Sequence, residues 1–238
     1  MTKKRLLGAL TAISFAALIY LIGWSSLFSI STVNIETKDP KNIPLIESQL
    51  KRFDQEIAIG DPMARINTRA IERSLKAQTW IGEVRIERDW LQGSVSLVVK
   101  ERIPLFKVER FGREVASYDR SFMSTDGELF QLPGDLADEY QSLPTLELQS
   151  ESLADRISAI TLFESINPDF PVKSLRVSGI SRFVSELRHQ DRTVQVTWGT
   201  ADDIDRKALV LSELLNLPAN KRVSRIDVGN PELPIVSN

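Results

Sequence analysis

The chain has 238 residues, with 30 lysines and arginines against 32 aspartates and glutamates, one histidine and no cysteine. A net charge of −2 supplies no strong field to draw nucleic acid or an acidic surface, and the lack of cysteine excludes disulfides and thiolate metal sites. No P-loop, G-x-G-x-x-G, G-x-S-x-G or H-E-x-x-H motif is present, so the usual signatures of nucleotide enzymes and hydrolases are missing.

Residues 6–28 carry no charge, and the next charged residue is Glu36. At about 1.5 Å rise per residue, such a helix crosses a hydrocarbon core of roughly 30 Å. Lys3, Lys4 and Arg5 precede it, and Trp24 stands near its far end, where an indole keeps its ring apolar and its N–H wet. The run is longer than the apolar core of a cleaved signal peptide, and no A-x-A-like site follows it. The expected topology is single-pass, with residues 1–5 a cytoplasmic tail and everything after residue 28 outside the cytoplasmic membrane. Five residues are too few to make a docking surface.

Residues 30–35 are β-branched and alternate loosely, which predicts a strand leaving the membrane with almost no linker. Ile43, Ile46, Leu50 and Phe53 then fall on one helical face. Gly60-Asp61-Pro62 breaks the chain, and Asn67 or Thr68 can cap a second helix that buries Ile71 and Leu75. Val84 and Ile86, then Val95, Leu97 and Val99, alternate with polar residues on either side of the turn 89–93. The predicted order is β-α-α-β-β, two helices on one face of a small sheet.

That order directly after one span resembles a POTRA domain of the FtsQ/DivIB family of bacterial division proteins. Gly60 with Ile66-Asn67, Trp80-Ile81-Gly82-Glu83-Val84, and Arg88, Trp90, Val95, Leu97, Val99 and Glu101-Arg102-Ile103-Pro104 are similar to that family's motifs. Leu91 stands where the family usually has proline, and the turn is one residue longer.

After Pro104 the pattern turns strand-rich. Phe106 and Val108 lead into Phe111-Gly112, and residues 122–130 read as a hairpin in which Asp126-Gly127 suggests a type I′ turn. Residues 131–149 read as irregular, apart from Leu143-Pro144-Thr145-Leu146, which resembles a family element. Ser152 can cap a helix ended by Asn167-Pro168. Strands are expected over 173–177, 183–187 and 193–198, with His189 in a solvated turn. Gly199 and a helix over about 202–215 follow, with Lys207 read as solvated. The carboxylates of Asp202, Asp203 and Asp205 fit the start of that helix, where they complement its dipole.

The expected class is α+β: cytoplasmic tail 1–5, transmembrane helix 6–28, POTRA domain 29–104, β domain 105–229 and tail 230–238. The last predicted strand is Val223-Ser224-Arg225-Ile226-Asp227-Val228, followed by Gly229. An edge strand offers unpaired N–H and C=O groups to an incoming peptide, and Pro231 and Pro234 would stop pairing beyond it. Residues 223–229 are therefore the expected partner-binding site.

The family resemblance implies a non-enzymatic divisome scaffold at the division septum. It further implies that the last strand recruits FtsB/FtsL-type membrane proteins. Arg225 stands at the family's aromatic position, and Gly229 replaces its usual final arginine. No cofactor, metal, nucleic acid or small-molecule substrate is expected. The alternative is a POTRA-bearing export or assembly subunit that binds extended polypeptides.

Overall fold

The computed structural model describes residues 3–24, 28–110, 121–149, 152–178 and 182–238. The expected Phe111-Gly112 element lies outside them. The chain divides into two compact units, Met1–Arg102 and Ile103–Asn238.

The first unit opens with helix α1, Lys3–Trp24. Among the described residues, no helix is long and apolar enough to cross a membrane. The side chains described on α1 are those of residues 7–17, 19 and 20, and all of them are exposed. The rest of the uncharged run, up to residue 27, lies outside the described side chains.

The body of this unit follows the expected β-α-α-β-β order: β1 (Thr32–Glu36), α2 (Ile43–Arg52), α3 (Thr68–Lys76), β2 (Ile81–Asp89) and β3 (Ser94–Glu101). Its sheet has the order β1-β3-β2, with β1 parallel and β2 antiparallel to β3. Register explains the two faces. Ile35, Leu97 and Ile86 share one row on one face, while Asn34, Ser96 and Glu87 share a row on the other. The first face carries the core with Ile46, Leu50, Ile71 and Leu75 from the helices, all four buried.

Asn67 caps α3 as predicted, its carboxamide oxygen accepting from Ala70 N at 3.1 Å. Gly60 takes a φ of +96°, a conformation that only glycine adopts cheaply. On the polar face Glu83 accepts from Arg85 at 2.6 Å and pairs with Lys100 at 2.8 Å. These two bonds, Lys100 foremost, hold its carboxyl below the usual range.

Among the described residues, the second unit is one mixed sheet of nine strands. They are β4 (Pro104–Arg110), β5 (Ser121–Ser124), β6 (Leu129–Gln131), β7 (Thr145–Leu148), β8 (Val172–Ser178), β9 (Arg182–His189), β10 (Arg192–Gly199), β11 (Arg225–Asp227) and β12 (Ile235–Ser237). Their spatial order is β12-β11-β10-β9-β8-β7-β4-β5-β6. Three pairs are parallel: β4 with β7, β7 with β8, and β10 with β11. Each is joined through a helix, because a parallel pair needs a crossover. The helices are α4 (Gly134–Glu139), α5 (Leu153–Ser165) and α6 (Ile204–Asn216).

One sheet face carries Val108, Leu146, Leu175, Phe183, Val196, Trp198 and Ile226 into a continuous core with Ile160 and Leu162 of α5 and Leu211 and Leu215 of α6. Around β5 both faces are covered. Met123 joins that core, while Phe122 lies against Phe130 and Tyr140, so all four residues of β5 are buried.

Several expectations are corrected. The hairpin after β5 is not type I′: of its residues only Gly127 takes a positive φ, and type I′ needs two. Ser152 makes no side-chain cap to α5. Residues 131–149 hold a helix and a strand, α4 and β7. His189 is buried, edge-on to Phe170 at 5.3 Å between ring centroids, because the bulky ring closes the end of the core rather than entering solvent. Lys207 is buried as well, at 1% exposure.

Candidate functional site

The stretch 223–229 is built onto the sheet from below by α6 and β10. Asn220 donates its side-chain amide to Leu214 O at 2.8 Å, near the end of α6. The Arg192 guanidinium, at the start of β10, donates to Asn220 O at 3.0 Å and to Val223 O. That cation ties the turn before β11 to the strand it must join. Gln195 N then donates to Ser224 O at 2.9 Å, and Val228 N to Thr197 O at 2.9 Å. Val223, Ile226 and Val228 are buried in the core, and Ser224, Arg225 and Asp227 are exposed. Inward residues thus secure the strand, and its polar residues face water.

The expectation of an open edge along 223–228 is corrected. The regular strand is only Arg225–Asp227, and it is paired on both flanks. On one side Ile226 stands opposite Val196 of β10, and on the other opposite Val236 of β12. The prolines do not end the sheet; they shape a turn. Asp227 accepts from Gly229 N at 2.8 Å and Asn230 accepts from Glu232 N at 3.1 Å, two side-chain turns of the kind asparagine and aspartate favour. Pro234 stands just before β12, where its missing donor costs no ladder bond.

Residues 235–237, expected in a tail, therefore form the outermost strand. Among the described residues no strand pairs with the outer side of β12. Ile235 and Val236 are 65% and 41% exposed. Among the described residues, an edge with no outer strand thus lies beside exposed apolar side chains. The signal missed in the sequence was Ile235-Val236, two β-branched residues after a turn rich in Asn and Pro.

The loop below this edge is held by a buried cation. Lys207 Nζ donates to Thr200 O at 3.0 Å and to Asp202 Oδ1 at 3.2 Å. Its stem is buried while Asp202 stays exposed, so the amine reaches out from under the helix to the surface. The bond from Thr200, then those from the backbone and Lys207, keep the Asp202 carboxyl below its usual range. Asp203 caps α6 in left-handed geometry without a side-chain bond, and Asp205 lies in the first turn, where it complements the dipole. Among the described residues no cluster of carboxylates or histidine could hold a metal ion.

No protein-family model matches the chain. Two curated relatives are both named cell division protein FtsQ. The one from Streptomyces griseus is 28% identical over 190 residues, covering 76% of this chain and 86% of the relative. The one from Mycolicibacterium smegmatis is 27% identical over 183 residues, covering 76% of this chain and 50% of the relative. A solved structure of two POTRA domains of Omp85 from Anabaena is 20% identical, covers 47% of this chain and 62% of its own, and superposes with a TM-score of only 0.28. With two relatives of one name aligned over three-quarters of its length, the chain is similar to FtsQ/DivIB-type cell-division proteins.

Proposed function

We propose that this chain is a bitopic scaffold of the divisome that recruits FtsB/FtsL-type partners by strand addition to β12. The observation that carries the reading is the unpaired outer side of β12, with Ile235 and Val236 exposed beside it. An added strand gains main-chain hydrogen bonds from the edge and specificity from alternate side-chain positions. In this reading residues 223–229 act from the second row. Ser224, just before β11, and Arg225 and Asp227 on it are exposed one strand behind the incoming one, and the buried Val223, Ile226 and Val228 fix the strand that carries β12.

The rest of the chain fits the same role. Residues 6–28 anchor it in the cytoplasmic membrane by their uncharged length, with residues 1–5 inside and residues 29–238 outside. The protein works without catalysis and localises to the septum. The relatives' shared name favours division over export of extended clients.

The test is hydrogen exchange of the full chain in detergent with and without an FtsB–FtsL pair. The amides of residues 235–237 should become protected on binding, and Ile235→Asp should weaken capture about tenfold or more, as for a buried anchor. A stable complex that leaves those amides exchanging at their free rate would rule out strand addition at β12.

A further inference from the structure

The β2–β3 turn is welded to the point where the chain leaves its uncharged run. Ser31 N donates to Gly93 O at 2.7 Å, and Thr32 N to the same oxygen at 3.3 Å. Gly93 has a φ of +68°, and a Cβ there would lie 2.7 Å from Ser31 Oγ, so only glycine lets the two segments close. Asp89 Oδ1 accepts from Leu91 N and Gln92 N, both at 2.9 Å, which fixes the tip. The ring of Phe28, last residue of the expected span 6–28, lies edge-on to Trp90 with 6.0 Å between centroids.

At this tip Leu91 is 97% exposed and Trp90 38% exposed. Ile59, 72% exposed, flanks the same exit, because the next residue, Gly60, donates its N–H to Ile30 O at 2.8 Å. Three large apolar side chains thus surround the exit, and no described segment covers Leu91. Three residues separate Trp24, the end of α1, from Phe28. Even a fully extended chain keeps Phe28 within roughly 14 Å of that end.

We propose that the β2–β3 tip is a membrane-interface foot, with Trp90 and Leu91 seated in the headgroup region of the bilayer that holds residues 6–28. The proposal rests on the reading of residues 6–28 as the anchor. Chain continuity chooses the occupant: a tip fixed to Phe28 cannot stand far from the lipid if the run ending there is in it. Tryptophan suits that depth, with an apolar ring and a polar N–H, and leucine at the tip adds apolar area buried at the acyl boundary. The foot makes the first unit a rigid extension of the anchor.

The chain has no cysteine, so one thiol can be placed at will. Leu91→Cys, Ala17→Cys and Lys38→Cys, each carrying an environment-sensitive fluorophore, are compared in the full chain in phosphatidylethanolamine–phosphatidylglycerol vesicles containing nitroxide lipids. Ala17 lies in the uncharged run, and Lys38 is exposed beyond the far end of β1. The proposal expects the label at 91 to be quenched several-fold more than the label at 38, with a blue-shifted emission. If 17 is quenched while 91 behaves like 38, the foot is overturned and the anchor stands. If 17 also behaves like 38, both are overturned. Position 91 makes no packing contact that its replacement could break, and unchanged circular dichroism verifies the fold.

Discussion

Gly199 and Gly229 touch: a Cβ at Gly199 would lie 3.3 Å from the Cα of Gly229. Gly199 ends β10 with a φ of +68°, and Gly229 follows β11 with its N–H on Asp227. The two glycines let the ends of adjacent strands close where the chain turns toward β12. Gly199→Ala should cost about 1–2 kcal/mol from the left-handed backbone alone, with crowding against Gly229 added. Urea denaturation measures the loss, and an unchanged midpoint would show that the strand ends do not need this approach.

Lys207 connects α6 to the loop after β10. Lys207→Met keeps the buried stem but removes the donor to Thr200 O and Asp202. A hydrogen bond lost from a charged donor costs on the order of 1–3 kcal/mol, and the exposure of both Thr200 and Asp202 puts this case near the lower end. The loss should appear as a lower denaturation midpoint, with faster hydrogen exchange in the loop 199–203. Equal stability of the variant and the natural chain would make the lysine a passive occupant.

Asp202 and Glu83 both titrate below the usual carboxylate range, Asp202 chiefly through Thr200 and Glu83 chiefly through Lys100. A carboxyl depressed in the folded state stabilises the protein above its unfolded pKa, near 4. That stability is lost as pH falls through the folded value. Asp202→Asn and Glu83→Gln should therefore each flatten the fall in stability below about pH 4 and leave its shape near neutrality unchanged. A melting-temperature profile against pH checks this, and unaltered acid sensitivity in both variants would refute it.

Within residues 223–229 the inward and outward side chains should separate cleanly. Ile226 is 1% exposed, so Ile226→Ala should cost about 2–5 kcal/mol and lower stability and partner capture together. Arg225 is exposed, so Arg225→Ala should shift stability by no more than about 0.5 kcal/mol. Any change in partner capture by Arg225→Ala then reports contact. Chemical denaturation alongside a pull-down distinguishes the two, and a large stability loss from Arg225→Ala would contradict the placement.

Much of the order of elements is written locally. The stripes Ile46–Leu50 and Ile71–Leu75, the alternation through Val95, Leu97 and Val99, and the Asn67 cap are short-range signals, and each appears in the structure where the pattern puts it. The β-α-α-β-β order follows from them, and so do strands β8 to β10 and helix α6. The burial of His189 and Lys207 was not legible, because polarity predicts exposure unless a partner is known. Those partners, Phe170 and Thr200, are set by packing.

Pairing between distant segments belongs to the tertiary structure. Sequence alone marked residues 223–228 as the last predicted strand, while the inward placing of Val223, Ile226 and Val228 belongs to the structure. Sequence did not determine which side of that strand is open. A three-residue strand such as β12 has almost no periodicity to read, and its place outside β11 depends on the turn 229–234 bringing Val236 opposite Ile226. Likewise, Leu91 was visible as an odd residue in a turn, but only the closure of Gly93 on Ser31 placed it beside Phe28. Local propensity is carried by neighbours in the chain, whereas edges and exits depend on which backbone groups find partners far along it.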